Sequence, residues 1–544
     1  MGILVCWCCI SPRLVRAQAA PAWRWAQGFR TNQYNGPAAL AVDSVGNTYL
    51  AGSFDTLLPL GAGQTLTPQD GTDGFLAKFS PTGTLLWARQ LSGAGGQALS
   101  CLKLLSGPGG DRLYVAGTLA AGAVTIGPQT LPVLTRDQCA FTACFDGQGQ
   151  LQWLRPLTSL SGSTTPYDTE LDAAGNYYLL GGVRGAVALG AHLLTTSGPA
   201  PREEQQIFWA KFSPGGVALW ARQSPIGPQS NHEVPATSLT VSASGNAVYL
   251  LGGIGQLAGV FAGMPLPPPL GGTDVLVTKC DRLGRPRWVN RSGGVGGWNN
   301  PGAAALDATG HLTVGLIFSG AAAFGSYFFS TPPGTYRAAI QVLDSVGTVV
   351  WAHAPAAQGI SDLLTDPAGN LYALLYGSNG FLGVAVTCYS PSRQVRWSLT
   401  SGTGNEYPAR GALGAGGHLS IVGRYQVAAA FGPFRLSPHY VRGVGPESFY
   451  LAQAGAALPL ATRSSSATKR LALYPNPATD VLHLPALPAG APVQLLDTRG
   501  RVARETTVSV GTQTIAVQGL APGLYMLRAT DARGRQYAGK LVVE

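Results

Sequence analysis

The stretch TDGFLAKFSPTGTLLWARQ, residues 72–90, reads as two short strands of alternating apolar residues joined by an S-P-x-G turn. Versions of it return along the chain, ending at Trp87, Trp153, Trp220, Trp288, Trp351 and Trp397. Five of these six tryptophans have glycine four places earlier, at Gly83, Gly149, Gly216, Gly284 and Gly347, and Arg393 breaks the column. Between the copies lies a second repeated unit, an apolar strand, a D-x-x-G-N type turn and a strand ending near glycine. It is seen in AALAVDSVGNTYLAGSF from residue 38, LDAAGNYYLLGG from 171, VSASGNAVYLLGG from 241, LDATGHLTVGL from 306 and LTDPAGNLYALLYG from 364. Looser copies start at 107 and 414 and bring the total to seven. Four strands per repeat, each too short to bury a face alone, predict the blade of a β-propeller.

The ends of the array complement each other. The seventh repeat has a third strand at SFYLAQ (448–453) and no tryptophan strand after it, while the chain opens its repeats with AWRWAQG (22–28), a tryptophan strand with nothing before it. The expected fold is therefore all-β: a seven-bladed β-propeller over 20–455, closed by an N-terminal outer strand carrying Trp25, which leaves no blade edge unpaired at the junction. Each tryptophan is expected to bury up to about 200 Å² in the core. The sixth repeat is short, with 28 positions from Gly369 to Trp397 against 41 from Gly46 to Trp87, which predicts a notch in the rim.

Composition narrows the class. Glycine (74) and proline (39) are abundant, but a hydrophobic content of 45% makes them turn punctuation in a packed β-protein rather than a mark of disorder. The net charge of +10 comes with only 11% charged residues and no basic run interleaved with aromatics, so nucleic acid is not an expected partner. Residues 3–10, ILVCWCCI, and the small residues Ala17-Gln18-Ala19 predict a signal peptide over 1–19, and no later run has the length of a transmembrane segment. The five cysteines beyond the leader, Cys101, Cys139, Cys144, Cys280 and Cys388, lack disulfide or zinc spacing and are expected to be small buried residues.

The repeats resemble the bacterial seven-bladed propeller repeats of exported proteins, with D-x-x-G-N-x-Y and D-x-F-x-x-K-(Y/F)-x-x-x-G-x-x-x-W signatures. Residues 456–468, small and polar, read as a linker. The block 469–544 alternates in strand fashion and predicts a small immunoglobulin-like β-sandwich. It resembles the C-terminal sorting domain of the type IX secretion system. The resemblance rests on Tyr474-Pro475-Asn476-Pro477 with Asp480, the Asp497-Thr498-Arg499-Gly500 turn, Pro522-Gly523-Leu524-Tyr525 and Lys540-Leu541-Val542-Val543. It implies that type IX machinery engages 469–544, carries the cargo across the outer membrane, and that the tail is then commonly removed as the cargo is released or joined to surface lipopolysaccharide.

No catalytic motif stands out. The histidines form no zinc pattern, and no phosphate loop or G-x-S-x-G is present; no cofactor is expected. Asp43, Asp172, Asp307 and Asp366 share a turn column and are read as acceptors of backbone N–H bonds rather than calcium ligands; His311 and His418 share the asparagine column of the same turn. Lys78, Lys211 and Lys279 share a column nine places before tryptophan and are read as blade-face residues. A ligand site is expected on the ring face that collects the long connections, with Tyr167, Asp168, His232, Trp298, Asn299, Asn300, Glu406 and Tyr407 as candidates, since aromatic plates beside hydrogen-bonding groups suit sugars. The expected function is an exported, surface-attached scaffold binding an extracellular protein or glycan. The alternative is a secreted polysaccharide hydrolase or lyase whose acidic pair comes from Asp168, Glu170, Glu233 and Glu406.

Overall fold

In the computed structural model every regular element is a β-strand. It describes the chain except for residues 1–20, 31–35, 70, 94, 121, 127–128, 134–138, 197–205, 225–237, 256–258, 262, 295–298, 379–380, 403–405, 438–447, 456–468, 472, 485–490, 498–500, 508–513 and 531–535. The signal peptide, the linker, His232, Glu233, Trp298 and Gly500 thus lie outside the described residues, as do the side chains of Glu406 and Tyr407. The chain forms two compact units, Met1–Ala457 and Leu458–Glu544.

In the first unit, seven antiparallel sheets contain at least four strands each among the described residues. Their first strands are Pro37–Val42, Gln97–Leu105, Thr158–Leu171, Ser238–Val241, Asn299–Leu306, Gly359–Thr365 and Glu406–Leu413. Each of these touches the first strand of the next sheet, and Glu406–Leu413 touches Pro37–Val42. The architecture is that of a β-propeller. Ala22–Arg30 pairs antiparallel with Ser448–Gly455, so the last sheet takes its fourth strand from the start of the chain. Phe29 stacks on Phe449 across that seam, 4.9 Å between ring centres.

Six of the sheets carry an added strand or hairpin between their second and third strands, such as Leu58–Gly61 with Gln64–Leu66 and Tyr327–Ser330 with Ala321–Phe324. The sixth does not: Leu371–Ser378 turns into Phe381–Tyr389 across two residues. The short spacing from Gly369 to Trp397 has this physical meaning.

Apolar residues pack between sheets rather than within them, because both faces of every sheet meet a neighbour. One such core joins Tyr49, Leu76 and Leu99 to Val115, Phe141 and Phe145. The repeat tryptophans differ here from the expected core role. Trp25 and Trp220 are 5% and 7% exposed, but Trp87, Trp153, Trp288, Trp351 and Trp397 are only half-buried. They lie along the outer strand, and their indole N–H groups reach the next sheet's turn: Trp25 to Pro81, Trp87 to Gly147, Trp153 to Pro214, Trp220 to Arg282 and Trp288 to Ser345, at 3.1–3.2 Å from the carbonyl oxygens.

The D-x-x-G-N turns behave as their sequence suggests. Asp172 Oδ1 accepts from the amides of Ala174 and Asn176 at 3.1 and 2.9 Å, and Asp43 and Asp366 take the matching bond from Asn47 and Asn370. Beyond the expected turn bonds, the lysine column completes the unit. Lys211 Nζ lies 3.2 Å from Asp172 Oδ2, which also accepts from Tyr178 Oη at 3.0 Å, and Lys78 lies 3.7 Å from Asp43. Burial raises the Asp172 pKa, but the bonds from Asn176, Lys211 and Tyr178 outweigh it and hold the carboxyl below its ordinary value. Where Ser242 replaces the aspartate, Lys279 turns instead to the carbonyl of Ser345 at 2.7 Å. All five described cysteines are buried.

Candidate functional site

The first strands surround a cavity of about 720 Å³ on the axis of the propeller unit. Its wall is built by a repeated irregularity. Six of the seven first strands carry an extra residue relative to their partner at a matching place, at positions 38, 100, 167, 302, 361 and 409, and Thr158–Leu171 carries a second at 160. A bulge adds twist and redirects the side chains beside it. The residues that follow, Ala39, Cys101, Asp168, Ala303, Asp362 and Arg410, together with Ser238, line the cavity.

Two of these act as clamps between sheets. Asp168 accepts from its own neighbour Thr169 N at 2.8 Å, and from Ser238 Oγ and Leu239 N of the next sheet at 2.9 and 2.8 Å. Asp362 repeats the arrangement with Leu363 N at 2.9 Å and Gly411 N of the next sheet at 2.8 Å. Two residues further along the wall, Lys103 pairs with Glu170 at 2.9 Å, with 35% and 24% of their side-chain surfaces open to the cavity. Burial pushes the Asp362 carboxyl above its ordinary value and the Cys101 thiol up to about 12. Arg410 feels burial in the opposite sense, but the Asp362 and Asp168 carboxylates more than compensate and strengthen its charge.

The candidates read from the sequence divide accordingly. Tyr167 and Asp168, expected in a long connection, belong instead to Thr158–Leu171, because that strand stays paired with Tyr177–Leu189 along its length, with Tyr167 as a bulge. Tyr167 is half-buried against the core around Trp209 and Trp220, and burial lifts its hydroxyl to about 12. Asn299 and Asn300 open the strand Asn299–Leu306; Asn299 is fully buried and donates from Nδ2 to Thr273 O at 2.8 Å, which ties down a neighbouring loop. Glu406 and Tyr407 begin the strand Glu406–Leu413. The sequence reading missed Lys103, Asp362 and Arg410. Their signal was present in register: Asp168, Asp362 and Arg410 each stand four places before the first residue of a turn, at 172, 366 and 414.

In the second unit, a five-stranded sheet and a two-stranded sheet enclose one apolar core that includes Leu482, Val493, Leu495, Val517, Leu527 and Leu541. Both X-Pro bonds of Tyr474-Pro475-Asn476-Pro477 are cis. Tyr474 stacks on His483, 5.1 Å between ring centres, and remains 56% exposed. Asn476 locks the motif to the last strand, donating from Nδ2 to Lys540 O and accepting from Val542 N, both at 2.8 Å. Asp480 takes a bond from Gln518 at 2.7 Å, and Tyr525, beyond Gly523, donates to Ala521 O at 2.8 Å. Residues 472–544 match the secretion system C-terminal sorting domain.

This unit is a type IX sorting domain. The sorting domain directs the chain to export, with secretion or cell-surface attachment as its destination. It implies interaction with the type IX machinery. No helix among the described residues is long and apolar enough to cross a membrane.

No curated protein matches the chain. Among solved structures, it is similar to the Dos1 propeller, with a TM-score of 0.38 and 10% identity over 80% of this chain and 95% of that one. The WD40 repeats of RRP9 give 0.38 and 11% over 80% and 99%, and U3-55K gives 0.37 and 11% over 79% and 99%.

Proposed function

We propose that the chain is a seven-bladed β-propeller, closed by its N-terminal outer strand and spanning 20–455, that the sorting domain at 469–544 delivers to the cell surface as a binding scaffold for an extracellular protein or polysaccharide. The observation that carries the binding reading is the state of the cavity carboxylates. Asp168 accepts three hydrogen bonds and Glu170 is ion-paired to Lys103. Hydrolysis of a glycosidic bond needs one carboxyl free to give a proton and a second free to act as base or nucleophile. Groups held as clamps and ion pairs serve rigidity and recognition better than proton transfer. Of the candidates read from the sequence, Tyr167 and Asp168 line the cavity itself.

The test is a screen of the purified protein against a printed array of glycans, followed by product analysis on every hit. Capture without cleavage supports the scaffold reading. Release of shortened glycan would replace it with the hydrolase or lyase reading.

A further inference from the structure

The cavity's charges are unevenly used. Lys103 is neutralised by Glu170, and Asp168 and Asp362 hold backbone amides of adjacent sheets. Among the described residues, Arg410 forms no ion pair within 4 Å and no side-chain hydrogen bond, although its guanidinium carries five N–H donors and lines the cavity. Acceptor capacity is also left over. A carboxylate offers about four acceptor positions, and Asp362 uses two and Asp168 three.

These facts sort ligand classes. Lys103 and Arg410 face five carboxylates, so an anion gains no net attraction. Of the five, Glu170, Asp307 and Asp366 are already engaged by Lys103, Arg393 and the Asn370–Tyr372 pair, and a cation approaching Asp168 or Asp362 meets the Arg410 guanidinium. An apolar ligand would strip water from Arg410 and the carboxylates and return no hydrogen bonds. A neutral polyhydroxyl molecule suits both sets, its hydroxyl oxygens accepting from Arg410 and its hydroxyl protons going to Asp362 and Asp168. The cavity's size falls in the range of small-molecule sites. Tyr167 adds a partly buried aromatic wall beside Asp168.

We propose that the axial cavity is a binding site for neutral saccharide, a short oligosaccharide or the end of a longer chain, with Arg410 as its principal donor and Asp362 and Asp168 as acceptors. This rests on the scaffold reading above and narrows it to a polysaccharide partner held on the axis rather than on the rim.

The test is titration calorimetry of the full chain with a panel of neutral trisaccharides (maltotriose, xylotriose, cellotriose and chitotriose) and with trigalacturonate as the anionic comparison. Arg410→Met, which keeps the stem and removes the donors, and Ser100→Phe, which places a ring in the cavity, are measured beside wild type, with melting curves for each. Expected is binding of at least one neutral trisaccharide and none of the uronate, weakened tenfold or more by each variant that melts like wild type. Neutral binding unchanged in both variants would move the site off the axis and leave the scaffold reading standing. Binding of the uronate alone would overturn the neutral assignment. Silence toward every trisaccharide, with capture of a protein partner, would overturn the saccharide site while keeping the scaffold.

Discussion

The ring of Trp220 lies against Gly284 of the following sheet, so close that a Cβ on Gly284 would stand 2.7 Å from Cζ3 of the indole. The same relation holds for Gly83 with Trp25, Gly149 with Trp87, Gly216 with Trp153 and Gly347 with Trp288, at 2.8–3.1 Å. The glycine four places before each tryptophan therefore serves the tryptophan of the preceding sheet. All five glycines have positive φ, so both turn geometry and the neighbouring ring exclude a side chain. Arg393, at φ 65°, occupies the place in the sixth sheet and reaches Asp307 of the fifth at 3.5 Å.

Gly284→Ala is expected to cost about 1–3 kcal/mol from the strained backbone and the displaced indole together. Trp220→Ala is expected to cost about 3–5 kcal/mol by leaving a cavity between two sheets. Urea denaturation of the purified variants measures both; a Gly284→Ala midpoint equal to wild type would show that the contact is loose.

Asp172 supports a buried pair, with side-chain exposures of 2% for Asp172 and 14% for Lys211. Asp172→Ala strands the lysine and is expected to cost about 3 kcal/mol, with Lys211→Met in the same chain recovering part of the loss. A double-mutant cycle checks the coupling. Because the folded pKa of Asp172 is lowered, its contribution is complete above the unfolded carboxylate value near 4 and fades as pH falls through the lower folded value. Stability measured from pH 5 downward should therefore decline less steeply in Asp172→Asn than in wild type.

Removal of residues 22–30 takes away the partner of Ser448–Gly455 and bares its edge, with Phe449 and Trp23's neighbour Phe431 uncovered. An exposed apolar edge pairs with other chains. Size-exclusion chromatography of the shortened protein is expected to show aggregates, and a stable monomer would show that the seam contributes little.

Asn476→Ala removes both side-chain bonds to the final strand and is expected to destabilise the sorting unit by about 2 kcal/mol. Deletion of 469–544 is expected to leave the propeller in the periplasm. Cell fractionation with an antibody to the first unit reads both, and surface delivery of the deleted chain would remove the sorting role.

Much of the fold was legible because strand repeats announce themselves locally. Turn residues such as Asp172 and Asn176 lie four apart, and their bonds close within the same few residues. The lysine column was visible but not its role, since Lys211 reaches Asp172 over 39 positions and only the pairing of Tyr178 with Lys211 brings them level. The cavity was harder still. Asp168 and Arg410 are 242 positions apart in number and line one cavity only because successive sheets turn about one axis.

By itself the amino-acid sequence determined the all-β class, the order of strands and turns within each repeat, and the sorting tail with its export route, because these depend on residues close together along the chain. Only the tertiary structure decided which side chains face the axis and which are spent as clamps, why glycine precedes tryptophan, and that Arg410 finds no hydrogen-bond partner for its donors among the described residues. A strand's alternation says which residues share a face, but what that face meets depends on the neighbouring sheet, and that neighbour is set by packing.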